Sequence, residues 1–282
     1  MKTVTIAGVG LIGGSLALAL RKAGFTGRIL GISSKKTVEV ALAARIIDDA
    51  PGEAEAMRLA DVVYLAQPIS GILACLERID EMVRPGTLIT DAGSTKAAIV
   101  RKARECIRRG VFVGGHPMAG KETRGAESAD ADLFQGRTYF FTPERFSVME
   151  QPAMREFEEW VRRMGAVPAV LKAEDHDRLV AYTSHLPQLV STALAATVGE
   201  QLEAEKARLG AGPGLRDMTR LGQSSYAIWE DILATNREAI VEALEDLLKR
   251  LEVMKGGVEG GRTREHFKIA ENFTKLLRKQ AG

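Results

Sequence analysis

Three glycines near the start of the chain have the spacing of a turn that cradles a diphosphate. They stand in Ile6-Ala7-Gly8-Val9-Gly10-Leu11-Ile12-Gly13, which matches G-x-G-x-x-G. Gly8 permits a tight turn, Gly10 lets a pyrophosphate approach the backbone, and Gly13 lets a helix pack close to a strand. Leu11 and Ile12 open that helix, whose free N–H groups and positive dipole end favour an anion. A strand-like run precedes the turn and a helical run follows it, which is the context the motif requires. Gly8, Gly10, Leu11, Ile12 and Gly13 are therefore the expected cofactor-binding residues, for a nicotinamide dinucleotide.

The position about 20 residues further on separates one dinucleotide from the other. An Asp or Glu there holds the ribose hydroxyls of NAD. This chain instead has Ser33-Ser34-Lys35-Lys36, and no carboxylate before Glu39. Two hydroxyls and two ammonium groups accept a 2′-phosphate by hydrogen bonding and charge. Ser33, Ser34, Lys35 and Lys36 thus favour NADP over NAD. The competing reading of the two lysines is a solvated loop after a strand.

Two other segments hold candidate reactive groups. His116 follows Gly114-Gly115 and precedes Pro117 at the end of a strand-like run. That places it at the edge where open α/β sheets bind ligands. Ser94, in Asp91-Ala92-Gly93-Ser94-Thr95-Lys96, ends another such run and starts a helix. It reads either as a helix cap or as a hydroxyl facing the same crevice.

These groups need a scaffold, and the apolar pattern supplies one. Strands are expected at 3–7, 28–32, 62–66, 88–91, 111–114, 138–142 and 167–171. Helices are expected between them at 11–22, 38–44, 72–82, 96–109 and 152–164. That alternation means βαβ units and a mostly parallel sheet. From about residue 174 the strand runs stop. Helices are expected at 179–201, kinked or started by Pro187, and at 224–233, 237–254 and 264–279, with loops at 209–215 and 255–261. The fold class is an α/β Rossmann-type dinucleotide-binding domain (residues 1–172) followed by an all-α helical domain (173–282). The long apolar helices of the second half would leave exposed seams on a monomer, so a homodimer through them is expected.

Composition narrows the partners. Lys and Arg number 39 against 37 Asp and Glu, for a net charge of +2, which lacks the basic surplus of a nucleic-acid binder. No run of apolar residues is long enough for a membrane span, and the N-terminus lacks a leader pattern. Cys75 and Cys106 fit no metal spacing and form no disulfide framework, so no metal is expected and a cytoplasmic setting is.

The motifs together resemble the prephenate and arogenate dehydrogenase family. Gly114-Gly115-His116-Pro117-Met118-Ala119-Gly120 with its Lys121-Glu122-Thr123-Arg124-Gly125 loop is similar to that family's G-G-H-P-M-A-G segment. Residues 91–96 resemble its D-x-x-S-x-K, Ser184-His185-Leu186-Pro187 its S-H-L-P, and Leu215-Arg216-Asp217-Met218-Thr219-Arg220 its F-[KR]-D-x-T-R. They run in the family's order over nearly the whole chain. The resemblance implies oxidative decarboxylation of prephenate to 4-hydroxyphenylpyruvate, or of arogenate to tyrosine, with reduction of NAD(P). It implies that His116 accepts the ring hydroxyl's proton, that Ser94 bonds the same hydroxyl or orients the imidazole, and that Arg220 grips the ring carboxylate. It places His185 near the substrate side chain. Glu122, His176 and Asp177 fall at positions that shape the pocket mouth in some members, or on a solvated loop. Ser33 stands where the NAD-using members carry an acid, which supports NADP and tilts the substrate toward arogenate. Glu122 is the nearby acid that would attract arogenate's ammonium. Two other readings remain: another two-domain reductase of the 3-hydroxyacid or imine type, and a non-catalytic dinucleotide-binding sensor.

Overall fold

The structure is a computed structural model that describes residues Met1–Lys279. Seven strands form one sheet: β1 (Thr3–Ala7), β2 (Arg28–Ile32), β3 (Val62–Leu65), β4 (Leu88–Asp91), β5 (Val111–Pro117), β6 (Thr138–Pro143) and β7 (Val167–Val170). Their order is β2-β1-β3-β4-β5-β6-β7. The first five are parallel, β6 runs antiparallel to β5, and β7 is parallel to β6. β1, β3 and β4 are almost wholly apolar because helices cover both faces of a parallel sheet. Val4, Ile6, Leu16, Leu20, Ile29 and Tyr64 belong to the core beneath the glycine turn, and Phe141 and Phe157 to its far end.

Chain order reverses between β1 and β3, so a crevice opens outside their carboxyl ends. The helix Leu11–Lys22 starts there, capped at Gly10 and with no acidic residue in its first turn.

The helical elements differ from the pattern in several places. A helix at Glu53–Leu59 was not anticipated, and the run 72–82 is two helices, Ile69–Leu76 and Ile79–Met82. The expected loop 209–215 is the end of one short helix, Ala204–Gly210, and the start of another, Pro213–Thr219; Pro213 suits a first helical turn, where its missing N–H costs nothing. The expected loop 255–261 is largely helix too. Arg237–Glu259 runs on through Gly256 and Gly257, whose poor intrinsic propensity the helix overrides. Pro187 stands in the first turn of an α-helix, which is the second of the two expected readings. The helix Ala173–Val180 widens into a π turn at Ala181–His185 and continues as Leu186–Gln201. A proline ring cannot fit against the carbonyl four residues back, and the wider turn relieves that clash.

By packing, the chain divides into a compact unit Met1–Arg237 and a second beginning at Glu238. The change of character near Lys172 is therefore one of secondary structure, not of compactness. Among the described residues no helix is long and apolar enough to cross a membrane.

Candidate active site

The glycine turn takes its shape from crowding. Gly8 has φ +97°, and a Cβ there would lie 2.6 Å from the Ala66 carbonyl oxygen. At Gly13 a Cβ would meet the Gly8 oxygen at 2.1 Å, so helix and strand touch backbone to backbone. Gly10 is different: nothing lies within 4 Å of where its Cβ would be. It lines a crevice of about 360 Å³ with Leu11, Ile12, Gln67, Ser94 and Arg124. Buried Gln67 Oε1 has no hydrogen-bond partner, an acceptor left for a donor that a ligand brings. Open backbone, an acid-free helix start and an orphan acceptor all fit a dinucleotide.

Ser94 shares this crevice with the glycine turn, as expected of a residue pointing into it. It is not the cap of the following helix, Ala97–Cys106, whose cap position is Lys96. The Asp177 carboxylate serves that helix start, accepting the N–H groups of Lys96 at 2.7 Å and Ala97 at 2.8 Å.

Lys96 pairs locally, as a mere structural residue would, but the pair is fully buried. Its Nζ donates to Asp91 Oδ2 and, at 2.8 Å, to the Gly115 carbonyl. Asp91 also accepts the N–H groups of Gly93 and Gly115. The carboxyl end of β4 is thereby fastened to β5 one residue before His116. Burial pushes the Lys96 ammonium down, against the pull of Asp91 and Asp177.

His116 is 9% exposed, and its Nδ1 lies 2.9 Å from Nε2 of His176. His176 Nδ1 in turn lies 2.9 Å from Asp177 Oδ1. Burial holds His116 well below the usual imidazole range, with the charges of His176, Lys96 and His185 acting the same way. That shift favours the neutral imidazole at pH 7. His176 and Asp177 are thus neither pocket mouth nor solvated loop; they are buried behind His116. The reason is the helix Ala173–Val180, which turns both side chains toward the sheet edge.

His185, carried inward by the π turn, is 1% exposed with its ring edge on Trp229, 5.8 Å between centroids. Asn236 Nδ2 donates to the Asp177 carbonyl at 2.8 Å and lies 3.2 Å from His185 Nδ1. Since that atom must be the amide nitrogen, Nδ1 of His185 accepts and its Nε2 carries the proton. Burial lowers this imidazole to about 4. Tyr226, one turn before Trp229, is 68% exposed.

Arg220 and Glu122 face each other at 3.5 Å, both well exposed. Glu122 thus stands against the expected carboxylate-binding guanidinium. Ser33, Lys35 and Lys36 are exposed past the end of β2. Lys35 and Lys36 are not on a loop: they form the first turn of the helix Lys35–Ala43, capped by the Ser34 hydroxyl, which accepts the Thr37 N–H at 3.3 Å. Ser34 is partly committed to that cap, whereas Ser33 and the two ammonium groups face solvent. Among the described residues no group of His, Cys, Asp and Glu is arranged to hold a metal ion.

Comparison with known proteins agrees with this geometry. Residues 16–169 match the family described as prephenate dehydrogenase, nucleotide-binding domain, and residues 172–277 match prephenate dehydrogenase, dimerization domain. The prephenate dehydrogenase of Lactococcus lactis is 34% identical over 257 residues, covering 89% of this chain and 70% of the relative. The crystal structure of the A. aeolicus prephenate dehydrogenase with hydroxyphenyl propionate and NAD+ superimposes with a TM-score of 0.89 at 28% identity, over 100% of this chain and 99% of that one. Synechocystis arogenate dehydrogenase gives 0.84 at 27% identity, over 99% of each chain. The glycine turn lies ahead of the matched segment yet has the form such a domain needs. This chain belongs to the prephenate dehydrogenase family.

Proposed function

We propose that the protein catalyses the oxidative decarboxylation of a cyclohexadienyl substrate, prephenate or arogenate, with His116 as the base. The observation that carries this is the buried imidazole of His116 at the carboxyl end of β5, the strand next to β4, whose own carboxyl end leads to Ser94 in the crevice of the glycine turn. The bound dinucleotide supplies the hydride acceptor. His116 takes the proton of the ring hydroxyl as hydride leaves the same carbon. The bond to the ring carboxylate then breaks, carbon dioxide departs, and the electron pair completes the aromatic ring. Ser94 hydrogen-bonds the hydroxyl or orients the imidazole. Arg220 grips the ring carboxylate once it exchanges Glu122 for substrate, a bidentate match of fork to carboxylate. His185 presents an N–H donor toward the substrate side chain. Glu122, when released, is the acid nearest an arogenate ammonium.

Gly8, Gly10, Leu11, Ile12 and Gly13 hold the diphosphate. NADP is the favoured cofactor, because Ser33, Lys35 and Lys36 offer a hydroxyl and two solvent-exposed ammonium groups at an acid-free helix start. The chain acts as a homodimer. Ile269, Phe273, Leu276 and Leu277 lie on one helical stripe, each more than half exposed, and a second copy is the partner that the matched dimerization domain implies. Both cysteines are free thiols, which suits a reducing cytoplasm.

The variant His116→Asn tests the reading. It should lose about 10²–10⁴ in kcat with little change in KM. An unchanged kcat would remove His116 as the base.

A further inference from the structure

His176 and Asp177 have no part in the reaction as written, yet they are buried directly behind its base. We propose that they form a brace that fixes the tautomer of His116, holding its proton on Nδ1 and leaving the Nε2 lone pair free for the substrate hydroxyl. The proposal rests on the reading of His116 as the base.

Asp177 Oδ1 already accepts the Lys96 N–H, and Oδ2 accepts the Ala97 N–H, so the carboxylate is fixed in place as an acceptor. His176 Nδ1, at 2.9 Å from Oδ1, must therefore be the protonated nitrogen. In a neutral ring its Nε2 is then bare. That bare nitrogen faces His116 Nδ1 at 2.9 Å, so Nδ1 of His116 carries the hydrogen and Nε2 does not. The reverse assignment would set a buried His176 lone pair against the Asp177 oxygen. A doubly protonated His176 would bring a buried cation close to Lys96, and burial already pushes this imidazole down despite the pull of Asp177 and Asp91. The charged and titratable groups around the pair are Asp91 and Lys96 on the β4 side, Asp177 on the same helix, and His185 beyond it. Phe140 of β6 packs edge-on against the His176 ring, 5.2 Å between centroids, and keeps its plane in register.

A carboxylate behind an imidazole does the same work in other acid–base sites: it selects the tautomer without itself taking the proton. Here the selection passes through a second imidazole. His176 and Asp177 are positioning residues, and neither needs to touch substrate.

The chain has four histidines, so their ring nitrogens can be resolved by isotope labelling of histidine and assigned by single substitutions. In the full-length, cofactor-free protein near neutral pH, His116 should show a protonated Nδ1 and a bare Nε2. A proton on Nε2 of His116 would overturn the proposal. In kinetics, His176→Leu should lower kcat about tenfold or more and leave KM in place, because base strength falls and binding does not. His176→Gln, which returns an acceptor toward His116 Nδ1, should recover most of the loss. A folded Leu variant with wild-type kcat would also overturn it. If the Leu variant does not fold, the nitrogen spectrum of the wild type decides alone. If the wild type turns over neither substrate, the catalytic reading falls, and the same spectrum still decides the tautomer.

Discussion

Replacing Lys96 with methionine keeps an unbranched side chain, one atom shorter, and removes its charge and its hydrogen-bond donors. In the wild type both partners of the Lys96–Asp91 pair have no exposed side-chain surface. The substitution leaves a carboxylate in the interior with the N–H groups of Gly93 and Gly115 as its remaining partners. It also frees the Gly115 carbonyl, one residue from His116. Breaking one side of such a buried pair costs about 3–5 kcal/mol. For a chain of this size that corresponds to a fall of roughly 10 °C in the unfolding midpoint. The control is Lys102→Met in the next helix, which breaks the Lys102–Glu77 pair of 2.7 Å. That pair is solvent-exposed, and its loss should leave the midpoint nearly unmoved. Thermal and urea unfolding of both variants, with the urea m-value checked for constancy, makes the comparison. Equal shifts in the two variants would refute the argument, since it rests on burial alone.

Acid should destabilise the fold through its histidines. The His185 imidazole sits at about 4 in the folded protein, against an ordinary value near 6.5, so the unfolded chain takes up the proton first as pH falls. Its contribution is complete above about pH 6.5 and is lost progressively toward about pH 4, roughly 3 kcal/mol in all, with His116 and His176 acting in the same sense. Urea midpoints that stay flat across this range would contradict it. Arg220→Ala should raise KM roughly 10–100-fold and spare kcat more, since the charge it binds departs during the reaction; steady-state kinetics showing the opposite split would place Arg220 at the transition state. Ser33→Asp should lower kcat/KM for NADP by about tenfold or more and favour NAD, by repulsion of the 2′-phosphate; an unchanged ratio would show that this helix start does not read the phosphate.

The sequence made the sheet legible because each strand is a short apolar run closed by turn residues, and Thr3–Ala7 and Arg28–Ile32 have the expected bounds. The glycine turn was equally plain, since its three glycines answer to contacts that no side chain could survive. Helix ends were harder to read. Ser34 caps a helix by accepting the backbone N–H three residues on, and in sequence it reads as well as a loop hydroxyl. The helical half gave the least. Gly256-Gly257 and Pro213 read as breakers, but a continuing helix and a first turn accommodate them. What no local pattern could show is the polar network. Lys96 and Asp91, His176 and Asp177, and Asn236 come from three separate stretches, and only the packed chain brings their donors and acceptors together. A buried lysine or a histidine next to an aspartate has the same sequence signature as an exposed one.

The most direct test of the account is the initial rate of cofactor reduction with prephenate or arogenate, each paired with NAD or NADP. The account predicts turnover, fastest in a well containing NADP, and its loss in His116→Asn. Silence in all four mixtures, with dinucleotide binding shown separately, would contradict it.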